Sequence, residues 1–234
     1  MHVLVTRPQE DAEALAAKLE TLGHRVSCFP LLAIVPRKTA GIPDRDWQAV
    51  LATSANGLRA LAGHDRVKSL RTLTVGPHSL AAARLAGYSW VEAHGGDVAG
   101  LAAHIAANLK PADGPLLYLS GAETSGDLEG RLTALGFDCH RAIVYDAVPA
   151  RDPSALAALL PNTDAVTLYS PRSARIWCSL VATGGLLAAA ARPTYLCLSM
   201  NVAKILPESW RAKVAISPDE AAMLALLEQI SRTG

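Results

Sequence analysis

Six short stretches of the chain set small polar side chains directly after an apolar run and directly before a helical pattern. They are Thr6-Arg7, Thr53-Ser54-Ala55-Asn56, Gly76-Pro77-His78-Ser79, Ser120-Gly121, Ser170-Pro171-Arg172-Ser173 and Ser199-Met200-Asn201. A strand end that runs into a helix start offers unpaired backbone N–H groups, to which hydroxyl and amide side chains add further donors. One such turn is an ordinary helix cap, worth about 1 kcal/mol. Six in one chain point to a ligand that carries several anions. Backbone donors need no net positive charge, which agrees with a formal charge of +1 from 22 basic and 21 acidic residues.

Other chemistries lack their residues. There is no GxSxG, HExxH or P-loop pattern, and no GxGxxG follows the first apolar run. The seven histidines contain no i, i+4 pair, so no metal site is expected; His78 and His94, each in a turn, could face a ligand but read first as solvated loop residues. Cys28, Cys139, Cys178 and Cys197 show no CxxC or Cys/His spacing and read as buried small hydrophobes in a reducing compartment. The balanced charge argues against nucleic acid or an anionic membrane as partner. No stretch approaches the roughly 18 apolar residues of a membrane span. The opening "MHVLVTRP" runs straight into a strand without a signal pattern. A soluble cytoplasmic protein is the expectation.

The elements that must position the six turns alternate. "HVLVT" is followed by Ala12, Leu15, Ala16, Leu19 and Leu22, spaced as one face of a helix that Gly23 ends. "RVSCF", "WQAVLAT", "RTLTVG", "YSWVEA", "GPLLYLS", "RAIVYDAV", "DAVTLYS", "TYLCLS" and "KVAIS" read as further strands. Helical patterns such as Val98, Leu101, Ala102 and Ile105 lie between them. Strands this apolar, interleaved with helices, belong to parallel sheets covered on both faces. The fold class is α/β.

The chain also repeats itself. "VLVTRPQEDAEALAAKLETLGHRVSCFPLLAIVP" is echoed by "LLYLSGAETSGDLEGRLTALGFDCHRAIVYDAVP", with Leu22-Gly23 and Leu135-Gly136, and likewise Pro36 and Pro149, 113 positions apart. Beyond each proline, "WQAVLATSANGLRAL" is echoed by "TDAVTLYSPRSARIW", which pairs Ser54 with Ser170. Two later echoes pair Gly76 with Ser199 and Asp97 with Asp219. Two similar parallel-sheet lobes follow, with a cleft between them as the expected active site. Within the repeat, Tyr145 stands opposite Leu32, so the fold does not require its hydroxyl. A buried tyrosine needs a hydrogen-bond partner in any case.

The segments "VLVTRP", "ATSANG", "TVGPHSLAAARLAGY", "RAIVYDAVP" and "LYSPRSA", in this order and spacing, together resemble the uroporphyrinogen-III synthase family. The resemblance spans residue 1 to about residue 230. It implies two α/β domains joined by a two-stranded ladder, one built from residues 1–36 plus 150–234 and the other from 37–149. It also implies the cyclisation of hydroxymethylbilane to uroporphyrinogen III with inversion of the terminal D ring, a step of heme biosynthesis. That substrate carries eight carboxylates, and a pyrrole nitrogen drives loss of its terminal hydroxyl, so neither a metal nor a redox cofactor is implied. The enzyme must fold the chain so that closure occurs at the substituted D-ring carbon and must stabilise developing charge.

Tyr145 falls on the family's tyrosine implicated as general acid. Ser79 matches its Thr/Ser after the first G-x-x turn, and Ser54 and Ser170 match its strand-end serines. The carboxylate-binding set implied here is Thr6, Arg7, Thr53, Ser54, Ala55, Asn56, Gly76, His78, Ser79, Ser120, Gly121, Ser170, Pro171, Arg172, Ser173, Ser199 and Asn201. Two departures stand out: Ser120-Gly121 where the family often has Arg-Gly, and Ser199-Met200-Asn201 without a glycine. They imply fewer cations or a different backbone geometry at those turns. The partners implied are the bilane and, transiently, the enzyme that makes it, and the charge balance leans to a monomer. A two-lobed, non-catalytic binding or sensory module for an anionic metabolite uses the same turns. A sugar-phosphate isomerase would use them too but lacks an evident acid–base pair.

Overall fold

The computed structural model describes residues 1–38, 41–61 and 65–231. The chain opens with β1 (His2–Val5), α1 (Gln9–Thr21), β2 (Arg25–Cys28) and β3 (Leu32–Pro36). Next come β4 (Ala49–Ala52), α2 (Ala55–Arg59), α3 (Asp65–Lys68), β5 (Arg71–Thr74), α4 (Pro77–Leu85), β6 (Trp90–Ala93) and α5 (Val98–Asn108). The middle of the chain continues with β7 (Leu116–Gly121), α6 (Leu128–Ala134) and β8 (Cys139–Pro149). The last third holds α7 (Ser154–Leu159), β9 (Ala165–Leu168), α8 (Pro171–Thr183), α9 (Leu187–Ala190), β10 (Thr194–Cys197), α10 (Met200–Ala203), β11 (Ala212–Val214) and α11 (Glu220–Ser231). Among the described residues, no helix is long and apolar enough to cross a membrane.

These elements form two compact units, Met1–Ala33 with Val148–Gly234 and Ile34–Ala147. The first holds a parallel sheet in the order β11-β10-β9-β1-β2. In the second, the parallel run β8-β7-β4-β5-β6 carries β3 along its β8 edge. Matching β1 with β7, β2 with β8 and β9, β10, β11 with β4, β5, β6 gives one strand order twice. The repeat seen in the sequence is therefore a repeat of topology. Its segments are shared out unusually: the first unit joins the start of the chain to its end, and the second is continuous. Both passages of chain from one unit to the other lie within strands, β3 and β8. Arg37 N–H donates to Val144 O at 2.8 Å and Ala150 N–H to Leu31 O at 2.9 Å, so these two strands run antiparallel.

The central strands β1, β4, β7 and β9 are buried along their whole length, as strands covered on both faces must be. Alternate residues feed opposite cores. In the first unit Leu4, Val166, Leu168 and Tyr195 join Trp177 on one face, while Val3, Val5, Ala165 and Leu196 join Ala12, Leu15 and Leu19 of α1 on the other. Tyr195 stacks on Trp210 with ring centroids 4.9 Å apart, its hydroxyl donates to Ala190 O at 2.6 Å, and Trp177 Nε1–H donates to that hydroxyl at 3.2 Å. The polar atoms of both rings are thus paired within the apolar core, as burial demands.

Two expectations change. Leu22 is 47% exposed and does not belong to the core face of α1, because it is the C-cap residue and the chain has already begun to turn. Gly23 follows with φ +80°, and the N–H groups of Gly23 and His24 return to Glu20 O and Leu19 O. The same geometry ends α6, where Gly136 has φ +87° and Leu135 is 50% exposed. The second change is β3, an apolar run whose side chains are nevertheless mostly exposed, because it lies at the edge of the sheet.

Trp177→Ala is expected to destabilise the protein by about 3–5 kcal/mol in urea unfolding. Leu22→Asp is expected to shift stability by no more than about 0.5 kcal/mol.

Candidate functional site

In each sheet the strand order reverses direction once, between β1 and β9 in the first unit and between β7 and β4 in the second. Ligands of open α/β sheets bind beyond the carboxyl ends of the strands at such a point. The residues that follow these four strands are Thr6-Arg7, Tyr169-Ser170, Ala122 with the preceding Ser120-Gly121, and Thr53-Ser54.

At the end of β7 the pairing with β8 slips, so that Ser120 faces Ile143 and Gly121 faces Tyr145. The slip lays the Tyr145 ring flat against Gly121, where a Cβ would stand 2.7 Å from the ring Cζ. Only glycine leaves room for that contact. Ala122 N–H donates to Tyr145 O at 3.0 Å and closes the turn. The Tyr145 side chain is buried, and its hydroxyl has no hydrogen-bond partner among the described residues. Arg141, four residues earlier on β8, holds the other side of the turn. Its Nε donates to Ser120 Oγ and its Nη2 to the carbonyls of Gly121 and Ala122, each at 2.8 Å.

At the end of β4, Thr53 Oγ1 and the buried Tyr118 hydroxyl lie 2.9 Å apart. Burial pushes the Tyr118 phenol above its ordinary value, and the Thr53 contact works the other way. Ser54 caps α2 by accepting from Asn56 N–H at 3.2 Å, and Ala55 is buried. Thr53 also lines a pocket of about 410 Å³ with Val75, the first turn of α5 and Arg131. Arg131 is a pocket-lining cation that sequence reasoning misses, because on α6 it reads as an ordinary surface residue.

In the first unit, Thr6 is buried and its hydroxyl donates to Thr167 O at 2.5 Å, which ties the ends of β1 and β9 together. Arg7 donates to Asp11 at 2.9 Å and to Glu220 at 2.8 Å, and lies over the Tyr169 ring at 4.7 Å. Its charge is balanced inside the unit. Burial pushes the Tyr169 hydroxyl up to about 12, against the pull of Arg7. Ser170 caps α8 by accepting from Ser173 N–H at 3.0 Å, with Pro171 and Arg172 between them.

The remaining turns are built differently. Gly76 and Ser199 stand before α4 and α10 with extended backbones, φ −171° and −154°, and neither helix receives a side-chain cap. Ser79 is buried in the first turn of α4, while His78 and Asn201 are exposed. A broader pocket of about 1300 Å³, lined by Asp164, Thr194, Ala212 and the cations Arg192, Arg211 and Lys213, lies at the amino ends of β9, β10 and β11, the wrong edge for a sheet ligand.

The family model described as uroporphyrinogen-III synthase HemD matches residues 13–228, nearly the whole chain. The chain belongs to the uroporphyrinogen-III synthase family. Its fold is like that of the uroporphyrinogen-III synthetase of Helicobacter pylori 26695, which is 15% identical with a TM-score of 0.68 over 98% of this chain and 99% of that one. A mutant uroporphyrinogen III synthase from the extremely thermophilic bacterium Thermus thermophilus is 18% identical, with a TM-score of 0.55 over the full length of both chains. No curated protein matches the chain.

The two departures from the family pattern now have a physical reading. At Ser120-Gly121 a guanidinium is present after all, brought by Arg141 from the neighbouring strand. At Ser199 the backbone is extended, as it is at the Gly76 turn that the repeat pairs with it. A Cβ on Gly76 would meet nothing within 4 Å, so the extended turn accepts any residue and serine takes the same path.

Gly121→Ala is expected to cost about 1–3 kcal/mol through overpacking against the Tyr145 ring. In a Tyr145→Ala background the same change is expected to cost little, and the non-additivity of the four unfolding free energies measures the contact.

Proposed function

We propose that the protein closes hydroxymethylbilane to uroporphyrinogen III with inversion of the D ring, as a lyase that expels water, with Tyr145 as the proton donor. The observation that carries this reading is the placement of Tyr145. Its ring is clamped on Gly121 at the end of β7, at the point where the strand order reverses, and its hydroxyl has no hydrogen-bond partner among the described residues. A phenol holds its proton at neutral pH and donates a hydrogen bond. As the pyrrole nitrogen pushes out the terminal hydroxyl, the phenol proton converts that poor leaving group into water. Proton transfer of this kind contributes about 10²–10⁴-fold.

The substrate's carboxylates need donors that are not already spent. Thr6, Ser54, Ser120 and Ser170 each use their hydroxyl within the protein, and Arg7 is paired with two carboxylates. Those residues shape the turns. The first turns after Gly76 and Ser199 receive no side-chain cap, and Ser79 and Asn201 lie beside them. We assign carboxylate binding first to these two turns. Next come Asn56, Arg131 and the first turn of α5, whereas Thr53 shares its hydroxyl with Tyr118, and His78 and Arg172 are already engaged and would have to exchange a contact for the substrate. Most of the work is binding the bilane in the conformer that reacts at the substituted D-ring carbon.

Freshly prepared hydroxymethylbilane incubated with the protein is expected to give isomer III in excess. A product still dominated by isomer I, with the protein folded, overturns the reading. Thermal protection by the bilane without any product would instead support a non-catalytic binding module. Tyr145→Phe is expected to lose about 10²–10⁴ in rate at an unchanged melting temperature. Near-normal turnover would leave Tyr145 a structural residue. Ser79→Ala is expected to raise KM more than it lowers kcat.

A further inference from the structure

Away from these turns, at the outer edge of the second sheet, three side chains converge that the reaction does not use. Glu92 lies on β6, His94 directly after it and His104 on α5. One ligand-type atom from each lies within 4.8 Å of the others. The His94 and His104 rings stack at 3.4 Å between centroids, only 8° from parallel. His94 Nε2 is 3.0 Å from Glu92 Oε2, whereas His104 Nε2 is shut off from solvent and has no partner among the described residues. A buried ring nitrogen without a partner costs free energy that something must offset.

The backbone is built to make this meeting. His94 N–H donates to Thr74 O at 2.8 Å, which fixes the end of β6. Gly95 follows with φ +81° and lies so close to α5 that a Cβ would stand 2.2 Å from the Gly100 carbonyl carbon. This crossing, open only to glycine, carries the chain back over α5 and brings His104, ten residues on, beneath His94. Neither the spacing nor the periodicity of the sequence reveals the pair.

We propose that Glu92, His94 and His104 bind a borderline divalent transition-metal ion of the zinc class, through one carboxylate oxygen and two imidazole nitrogens. Two imidazoles and a carboxylate with a water in the fourth position form a familiar tetrahedral set for such an ion. Ligand atoms around it stand about 3.3 Å apart when metal–ligand bonds are near 2.0–2.1 Å. The ligand atoms therefore close by up to about 1.5 Å, and the partly exposed His94 turns out of its stack on His104 so that both ring planes face the ion. The ion replaces the hydrogen bond from His94 Nε2 to Glu92 and gives His104 Nε2 the partner it lacks. Arg71 donates to both oxygens of Glu92, at 2.9 Å and 3.1 Å, and on binding keeps the Oε1 contact as an outer-shell partner. The 3.4 Å contact of Asn108 Nδ2 with His104 Nδ1 is too long to hold the opposite tautomer. A bound ion would pin α5, whose first turn lines the 410 Å³ pocket, to the end of β6.

The test is titration of the chelator-stripped full-length protein with Co²⁺, followed by Zn²⁺ competition. One equivalent of Co²⁺ is expected, with the visible absorption of a tetrahedral site, no thiolate charge-transfer band, and displacement by Zn²⁺. Zn²⁺ is also expected to raise the melting temperature. His94→Gln and His104→Gln should each weaken binding by about 100-fold, consistent with losing a direct ligand where outer-shell losses already cost 10–100-fold. Should His104→Gln not fold, His94→Gln, on the partly exposed residue, decides alone. The absence of stoichiometric binding, or equal binding by the folded His94→Gln variant, overturns the proposal.

Discussion

Everything in this protein follows from burying parallel strands on both faces. Such a strand has no solvent side, so every residue within it must be apolar or must satisfy its polar atoms locally, and chemistry is confined to where the strand stops. The burial of β1, β4, β7 and β9 along their whole length enforces that division. Helices that start at those ends add their unpaired N–H groups to the same edge. A substrate rich in carboxylates is well served by such an edge, because a set of backbone dipoles can hold many anions without a matching set of lysines and arginines.

Much of this is readable in the sequence, and the reasons are local. Apolar runs announce the central strands, and Ala12, Leu15 and Leu19 announce the buried face of α1. The paired residues of the repeat also match in detail. Ser54 and Ser170 are both N-caps, and Asp97 and Asp219 each accept from the N–H three residues on. What stays hidden is long-range. The hydroxyl bookkeeping that separates Ser54 and Ser170 from the uncapped turns at Gly76 and Ser199 depends on side-chain rotamers. Arg141 serves β7 from a neighbouring strand, and Gly121 gains its meaning from a ring 24 positions away. The stacking of His94 on His104 depends on a glycine crossing that no periodicity encodes.

The same division explains how a family can diverge to identities of 15–18% over whole chains while keeping its fold. Where the binding groups are backbone N–H groups, the side chain that follows a strand is free to change as long as the turn persists. Within this chain, Ser199 and Gly76 lead into α10 and α4 with the same extended backbone. Where a side chain is held in place, as the Tyr145 ring is, the constraint moves to the surface it rests on, and Gly121 bears it.

The division of the chain between its two units carries a consequence for synthesis. Strand β1 leaves the ribosome well before one of its two neighbours, β9, which begins only at Ala165. The second unit, continuous from Ile34 to Ala147, has all its strands in hand long before that. Domains fold as units as they emerge. The nascent chain is thus expected to carry a finished middle domain while β1, α1 and β2 wait, with the apolar face of β1 unsheltered, for the last third to arrive. The interval is a window for chaperone capture, and the first two dozen residues are its natural target.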